Sequence, residues 1–321
     1  MGETAVVIRA EGLRRWSGAR EVLRGLSFSV HAGEVVALVG PNLSGKTTLL
    51  QLCAGEKAPS EGALEVAGLI PWDEPELLRC RVGYAPEDDL SEENIEVEEY
   101  LLFSARLKGI PRGQRTRAIL RACEEAGISG LRRVSIDALS RGDKRRVMLA
   151  QALIGEPRAL LLDAPFEGLD ARAGYEVAGL IRNAVRGRAV LVATNRLPEA
   201  ASISSRLLVL SRGVLVAAGT PGELAALARH ESAREVLRVA APPGETARGL
   251  ALALLQIAGV RAVTPEELPD GSFRFTLYAT REVRGDAILA LVSRRVEVLE
   301  AREVEGRLSA AYQALVSGRL Q

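Results

Sequence analysis

Residues 35–50 read VVALVGPNLSGKTTLL. The first five, Val35 to Val39, are continuously apolar, the pattern of a strand buried on both faces. A glycine-bearing turn follows, and Thr47, Thr48, Leu49 and Leu50 then open a helix. Gly40, Pro41, Asn42, Leu43, Ser44, Gly45, Lys46 and Thr47 fit the spacing G-x-x-x-x-G-K-S/T. That spacing has a physical basis. Glycines let backbone N–H groups curl around phosphates, and the helix N-terminus adds partial positive charge. Lys46 is placed to reach the β- and γ-phosphates, and the Thr47 hydroxyl to ligate Mg²⁺. Leu43 stands where such a cradle often has glycine, so its side chain is expected to stiffen or crowd the loop. A nucleotide's phosphates and Mg²⁺ are the ligands this loop leads one to expect.

Working outward, similar apolar runs recur at 159–162 (ALLL) and 189–193 (AVLVA), with helical stretches between them. Buried strands alternating with helices imply a parallel α/β sheet. Residues 5–10 and 26–30 also read as strands. From about 72 to 156 the sequence is charged and helix-periodic, which suggests a helical insertion between core strands. The composition shifts after about residue 228. Around the breaker cluster Ala241-Pro242-Pro243-Gly244, the tail gives strand, helix, strand, strand, helix, strand and a last helix near 306–317. The order βαββαβ is that of a ferredoxin-like unit. The expected domains are therefore 1–228 and 229–321.

The whole composition agrees with this. A chain of 321 residues is long enough for about two domains without a disulfide or metal staple. The 42 basic and 41 acidic residues leave a net charge of +1, which argues against a nucleic-acid partner. Of the basic residues only Lys46, Lys57, Lys108 and Lys144 are lysines. Cys53, Cys80 and Cys123 are odd in number and widely spaced, which suits a reducing cytosol better than a disulfide framework or zinc site. His31 and His230 are the only histidines. No apolar run approaches the ~18 residues of a membrane span, and the N-terminus does not read as a signal peptide. A soluble cytoplasmic protein is expected.

The stretch from Leu139 onward, LSRGDKRRVMLAQALIGEPRALLLDAPFEGLD, makes a family resemblance specific. The chain resembles the ATP-binding subunit of an ABC transporter. LSRGD at 139–143 is similar to the LSGGQ signature, ALLLD at 159–163 to the Walker B strand, and Gly168-Leu169-Asp170 to the D-loop. The stretch VGYAPE at 82–87 resembles the Q-loop, and residues 211–221 resemble the closing strands. The resemblance covers roughly residues 5–228, and the tail is similar to the small C-terminal domain of bacterial export-type members. It implies a P-loop NTPase fold of ABC type with a helical insertion and an α+β ferredoxin-like tail. By the same resemblance, Trp16 stacks on adenine, Asp163 and Glu87 join Thr47 around the metal, and Asn195 occupies the switch position. Ser140 and Gly142 would serve an ATP held by the opposite subunit. The expected partners are a second ATP-binding subunit and a transmembrane permease, which places the chain at the inner face of the membrane. The insertion at 88–110 is expected to meet the permease. Its Asp88, Asp89, Glu92, Glu93, Glu96, Glu98 and Glu99 also suit a plain solvated face.

Three departures fall on hydrolytic positions. The family has Glu after the Walker B aspartate, and this chain has Ala164. A methyl group neither accepts a proton nor orients water, and loss of a positioned base costs about 10²–10⁴-fold. The switch His is replaced by Asn195, whose amide can hydrogen-bond a phosphate but cannot share a proton. The Q-loop position is Glu87 instead of Gln. No residue is therefore assigned as catalytic. Glu167 reads as an exposed loop carboxylate, with a substitute base as the alternative. Three functions follow: a degenerate subunit that binds MgATP and pairs with a competent one, an active homodimer that uses another base, or an ATP-gated regulatory or scaffold module.

Overall fold

The computed structural model describes residues 5–87, 90, 94–227, 233–242, 244–279, 283–305 and 307–318. His230, Pro243, Asp88, Asp89, Glu92 and Glu93 lie outside them. The chain divides into two compact units, residues 1–220 and 221–321.

In the first unit, β1 (Val6–Ser17) and β2 (Arg20–His31) form a long antiparallel hairpin. The strand β3 (Val35–Val39) follows, every residue of it buried. Next come α1 (Lys46–Cys53), β4 (Glu61–Val66), α2 (Pro75–Arg81) and β5 (Val82–Ala85). The helical segment holds α3 (Val97–Leu107), α4 (Arg112–Glu125) and α5 (Arg141–Leu153). The core resumes with β6 (Ala159–Asp163), α6 (Ala171–Ala184), β7 (Ala189–Thr194), α7 (Leu197–Ile203), β8 (Arg206–Ser211) and β9 (Val214–Gly219).

The main sheet runs β5-β6-β7-β3-β8-β9, parallel except for β9. A second sheet, β2-β1-β4, is antiparallel. The register places the site: Ala85 pairs with Leu162, Asp163 with Ala193, and Val39 with Thr194. Four neighbouring carboxyl ends therefore meet in line, where parallel α/β sheets bind ligands.

The strand β5 lies inside the range 72–156, whose charge and helical period suggest an insertion. Its VGYA is short and broken by glycine, so it lacks a buried strand's apolar signature. Gly83 is required by packing, because a Cβ there would lie 2.1 Å from the Ala152 carbonyl oxygen.

The second unit starts with α8 (Pro221–Leu227), which packs on α11 (Arg307–Ser317). Between them lie β10 (Ala233–Ala240), α9 (Ala247–Leu255), β11 (Val260–Glu267), β12 (Phe273–Ala279), α10 (Arg284–Val292) and β13 (Glu297–Glu305). The sheet order β11-β12-β10-β13, all antiparallel, is the split-βαβ arrangement. Phe275, Leu277, Leu237 and Val239 pack against Leu250 and Leu254 of α9 and Ala287 and Leu291 of α10. The composition shift at about 228 falls just after α8, whereas the second unit begins with that helix, at Pro221. Among the described residues, no helix is long and apolar enough to cross a membrane.

Candidate functional site

The loop between β3 and α1 is shaped by two glycines that nothing larger can replace. A Cβ on Gly40 would lie 2.2 Å from the Leu210 carbonyl oxygen of β8 and 2.7 Å from Ser44 Oγ. Gly45 has φ +110°, and a Cβ there would meet Leu23 Cδ2 at 2.7 Å. Gly45 is the N-cap of α1 and no side chain caps the helix, so its first N–H groups face the loop. Lys46 Nζ donates to the carbonyls of Gly40 at 2.8 Å and Pro41 at 2.9 Å. Burial pulls the Lys46 ammonium below the usual lysine range, against the opposing pull of the Asp163 and Glu87 carboxylates. Ser44 Oγ is buried without a hydrogen-bond partner. Leu43 has φ +64°, a strained backbone for leucine, and at 81 % exposure its side chain stays largely in solvent.

The strand order brings most of the sequence-predicted residues around one cavity of about 410 Å³. Asn42, Leu43, Gly45, Lys46, Thr47 and Thr48 line one side, and Glu87, Asp163, Ala164 and Asn195 the other. Asp163 is buried at the end of β6. Ala164 follows at φ +45°, its N–H donating to the Ala193 carbonyl at 2.8 Å. Asn195 Nδ2 lies 3.4 Å from Asn42 Oδ1. The Glu87 carbonyl accepts from Arg145 Nη1 of α5 at 2.7 Å. Among the described residues, no cluster of three or more His, Cys, Asp or Glu could hold a metal by itself. A hydroxyl and one or two carboxylates beside a phosphate cradle suit a cation shared with substrate phosphates, as Mg²⁺ is commonly bound.

The sequence agrees with known proteins at this point. A family model described as ABC transporter matches residues 23–167. The Nod factor export ATP-binding protein I of Ralstonia nicotianae is 32 % identical over 234 residues, 73 % of this chain and 72 % of that protein. Its namesake from Burkholderia lata is 34 % identical over 233 residues, 72 % of this chain and 75 % of that protein. The chain belongs to the ABC transporter ATP-binding family. A solved ATP-binding subunit of an ABC transporter superposes with a TM-score of 0.60 at 28 % identity, covering 68 % of this chain and 91 % of its own. CbiO1 from Clostridium perfringens, part of the transporter complex cbiONQ, gives 0.63 at 27 % identity over 69 % of this chain and 91 % of its own. Members of the family bind ATP, typically with Mg²⁺.

Six predicted residues do not line the cavity: Gly40, Pro41 and Ser44 of the loop itself, and Trp16, Ser140 and Gly142 elsewhere. Trp16 is half-buried near the end of β1, with its backbone N–H on Ser60 Oγ, and does not line the cavity. Ser140 caps α5, accepting from the Asp143 N–H at 3.1 Å and donating to Asp143 Oδ2 at 2.6 Å. That is the N-cap half of a capping box, with the Asp143 carboxylate returning to the Ser140 hydroxyl instead of to its backbone N–H. Ser140 and Gly142 line a separate open cavity of about 500 Å³, shared with Gly168, Leu169 and Asp170. Two cavity residues carry no local signal in the sequence: Arg20, whose Nη2 reaches the Leu43 carbonyl at 3.4 Å, and Val22. Both arrive on the β1–β2 hairpin through tertiary packing. Glu167 is exposed, as its sequence position reads, and it also lines the cavity.

Proposed function

We propose that this ABC subunit binds MgATP through Lys46, Thr47 and Asp163, hydrolyses it slowly or not at all in its own site, and pairs with a second, competent ATP-binding subunit. One observation carries the reading: Lys46, Thr47 and Asp163 line one cavity, which presents Ala164 and Asn195 where the family has Glu and His. Glu87 would share the cation with Thr47 and Asp163, and Asn195 would hydrogen-bond the terminal phosphate. The phosphate-loop residues Gly40, Pro41, Asn42, Ser44 and Thr48 would shape the cradle, and Trp16, paired with Glu21 on the hairpin that carries Arg20 and Val22, would stack on the adenine. The separate surface of Ser140, Gly142 and the D-loop supports a role toward ATP held by the other subunit. Phe103 and Leu107, one turn apart and exposed on α3, support a permease contact at the inner face of the membrane. The naming of its relatives as Nod factor export proteins supports export as the direction.

The test uses the isolated chain. A fluorescent ATP analogue should bind with Mg²⁺ and be lost in Lys46→Ala, while phosphate release stays near background until a competent partner is added. Robust turnover by the chain alone, abolished in Lys46→Ala, rejects the reading. It would favour an active homodimer, for which the position of Glu167 on the same cavity is the supporting observation. In that case Glu167→Gln removes the activity.

A further inference from the structure

Asn195 and Arg196 are consecutive, yet they address two different places. Asn195 lies on the nucleotide-type cavity beside Asn42. Arg196 turns to the segment after β6. Its Nη1 donates to the carbonyls of Phe166 at 2.8 Å and Leu169 at 3.1 Å. The same guanidinium pairs with Glu199 in the first turn of α7, and the Arg196 N–H is held by Thr194 Oγ1 at 3.0 Å. The guanidinium is therefore fixed from both ends.

The segment it holds is the one that joins the two cavities. Residue 164 hangs from β7 through the Ala193 carbonyl, at the edge of the first cavity. Phe166, between the two cavities in sequence, is fully buried. Gly168, Leu169 and Asp170 then line the second cavity with Ser140 and Gly142. Two left-handed residues, Ala164 at φ +45° and Gly168 at φ +72°, bracket the turn. Nη1 alone bridges the two carbonyls while Nη2 holds Glu199, so the planar guanidinium ties this segment to α7 in a fixed orientation that a point charge does not impose.

We propose that Arg196 is a positioning residue that couples the nucleotide cavity to the signature surface. Resting on the MgATP-binding reading, the inference adds a route: a phosphate engaging Asn195 shifts the 194–196 backbone, and the guanidinium carries Phe166 and Leu169 with it. Coupling of this kind is a difference between two states that both sites bias.

Hydrogen exchange of segment 164–170 tests it, with and without MgATP, alongside the dissociation constant of a fluorescent ATP analogue. In the unmodified chain, MgATP should slow exchange there by about 5-fold or more. Arg196→Met should bind the nucleotide within about 3-fold of the parent yet lose that ligand-dependent slowing, and Arg196→Lys should recover part of it. Full slowing in Arg196→Met overturns the proposal. So does loss of the cooperative thermal melt in both variants, which would make Arg196 a structural pin only. If the unmodified chain binds no MgATP, the binding reading itself fails, and that is visible before any substitution is made.

Discussion

Restoring the two missing groups together, Ala164→Glu with Asn195→His, should turn the site into an ATPase. The backbone permits it: residue 164 is already held at φ +45° by its N–H bond to Ala193, and a glutamate there has the same steric cost as the alanine. Space permits it too, because both side chains face a cavity of about 410 Å³. The one contact surrendered is the 3.4 Å Asn195–Asn42 hydrogen bond, at the long end for such bonds and worth about 0.5 kcal/mol. Against that, a positioned base contributes about 10²–10⁴-fold, or roughly 3–5 kcal/mol of barrier. Phosphate release at saturating MgATP should therefore rise by about two orders of magnitude or more over the parent. Lys46→Ala in the double variant should return it to background. If the double variant binds MgATP as tightly as the parent and its turnover does not rise, the two substitutions are not what silences the site.

Other consequences are open to direct measurement. Gly40→Ala drives a Cβ into the Leu210 carbonyl, so it should abolish nucleotide binding and cost about 3 kcal/mol or more in a denaturant titration. Unchanged binding would show that the loop is not held against β8. Leu43→Gly removes the strain at φ +64° and should raise the nucleotide exchange rate, with a stability change within about 1 kcal/mol, read by stopped-flow displacement. Lys108 Nζ donates to the carbonyls of Gln151, Ala152 and Ile154 at 3.2, 2.9 and 2.9 Å, so Lys108→Met should destabilise the helical segment by about 2–4 kcal/mol. Burial pulls the Lys108 ammonium down to about 8 from 10.5. Between those values the unfolded chain binds the extra proton, so the Lys108 contribution to stability should rise with pH there, by about 3 kcal/mol at most. A difference between parent and Lys108→Met that stays flat from pH 7 to 10.5 contradicts this.

The phosphate loop and the strands around it were legible because their signals are local. Continuous apolar runs mark β3, β6 and β7, and glycine spacing marks the loop. The departures at Ala164 and Asn195 were legible for the same reason, since each follows directly on such a run. What the sequence hid depends on tertiary approach. The β5 strand carries its glycine to fit Ala152 and so resembles a loop. Arg20 and Val22 reach the cavity from a hairpin that ends well before the loop in sequence. Arg196 looks like any charged residue at a helix start until its two carbonyl acceptors are seen.

The scarcity of lysine makes this chain almost addressable by amine chemistry. Lys46 is tied to two carbonyls inside the cavity and Lys108 to three in the interior, whereas Lys57 is exposed and Lys144 half-buried. An acylating reagent that distinguishes accessible from sequestered side-chain amines should mark Lys57 first. A dye or surface tether could thus be placed at the rim of the first unit while the phosphate cradle stays intact. Slow acylation of Lys46 would then report, residue by residue, whether a ligand has closed over it.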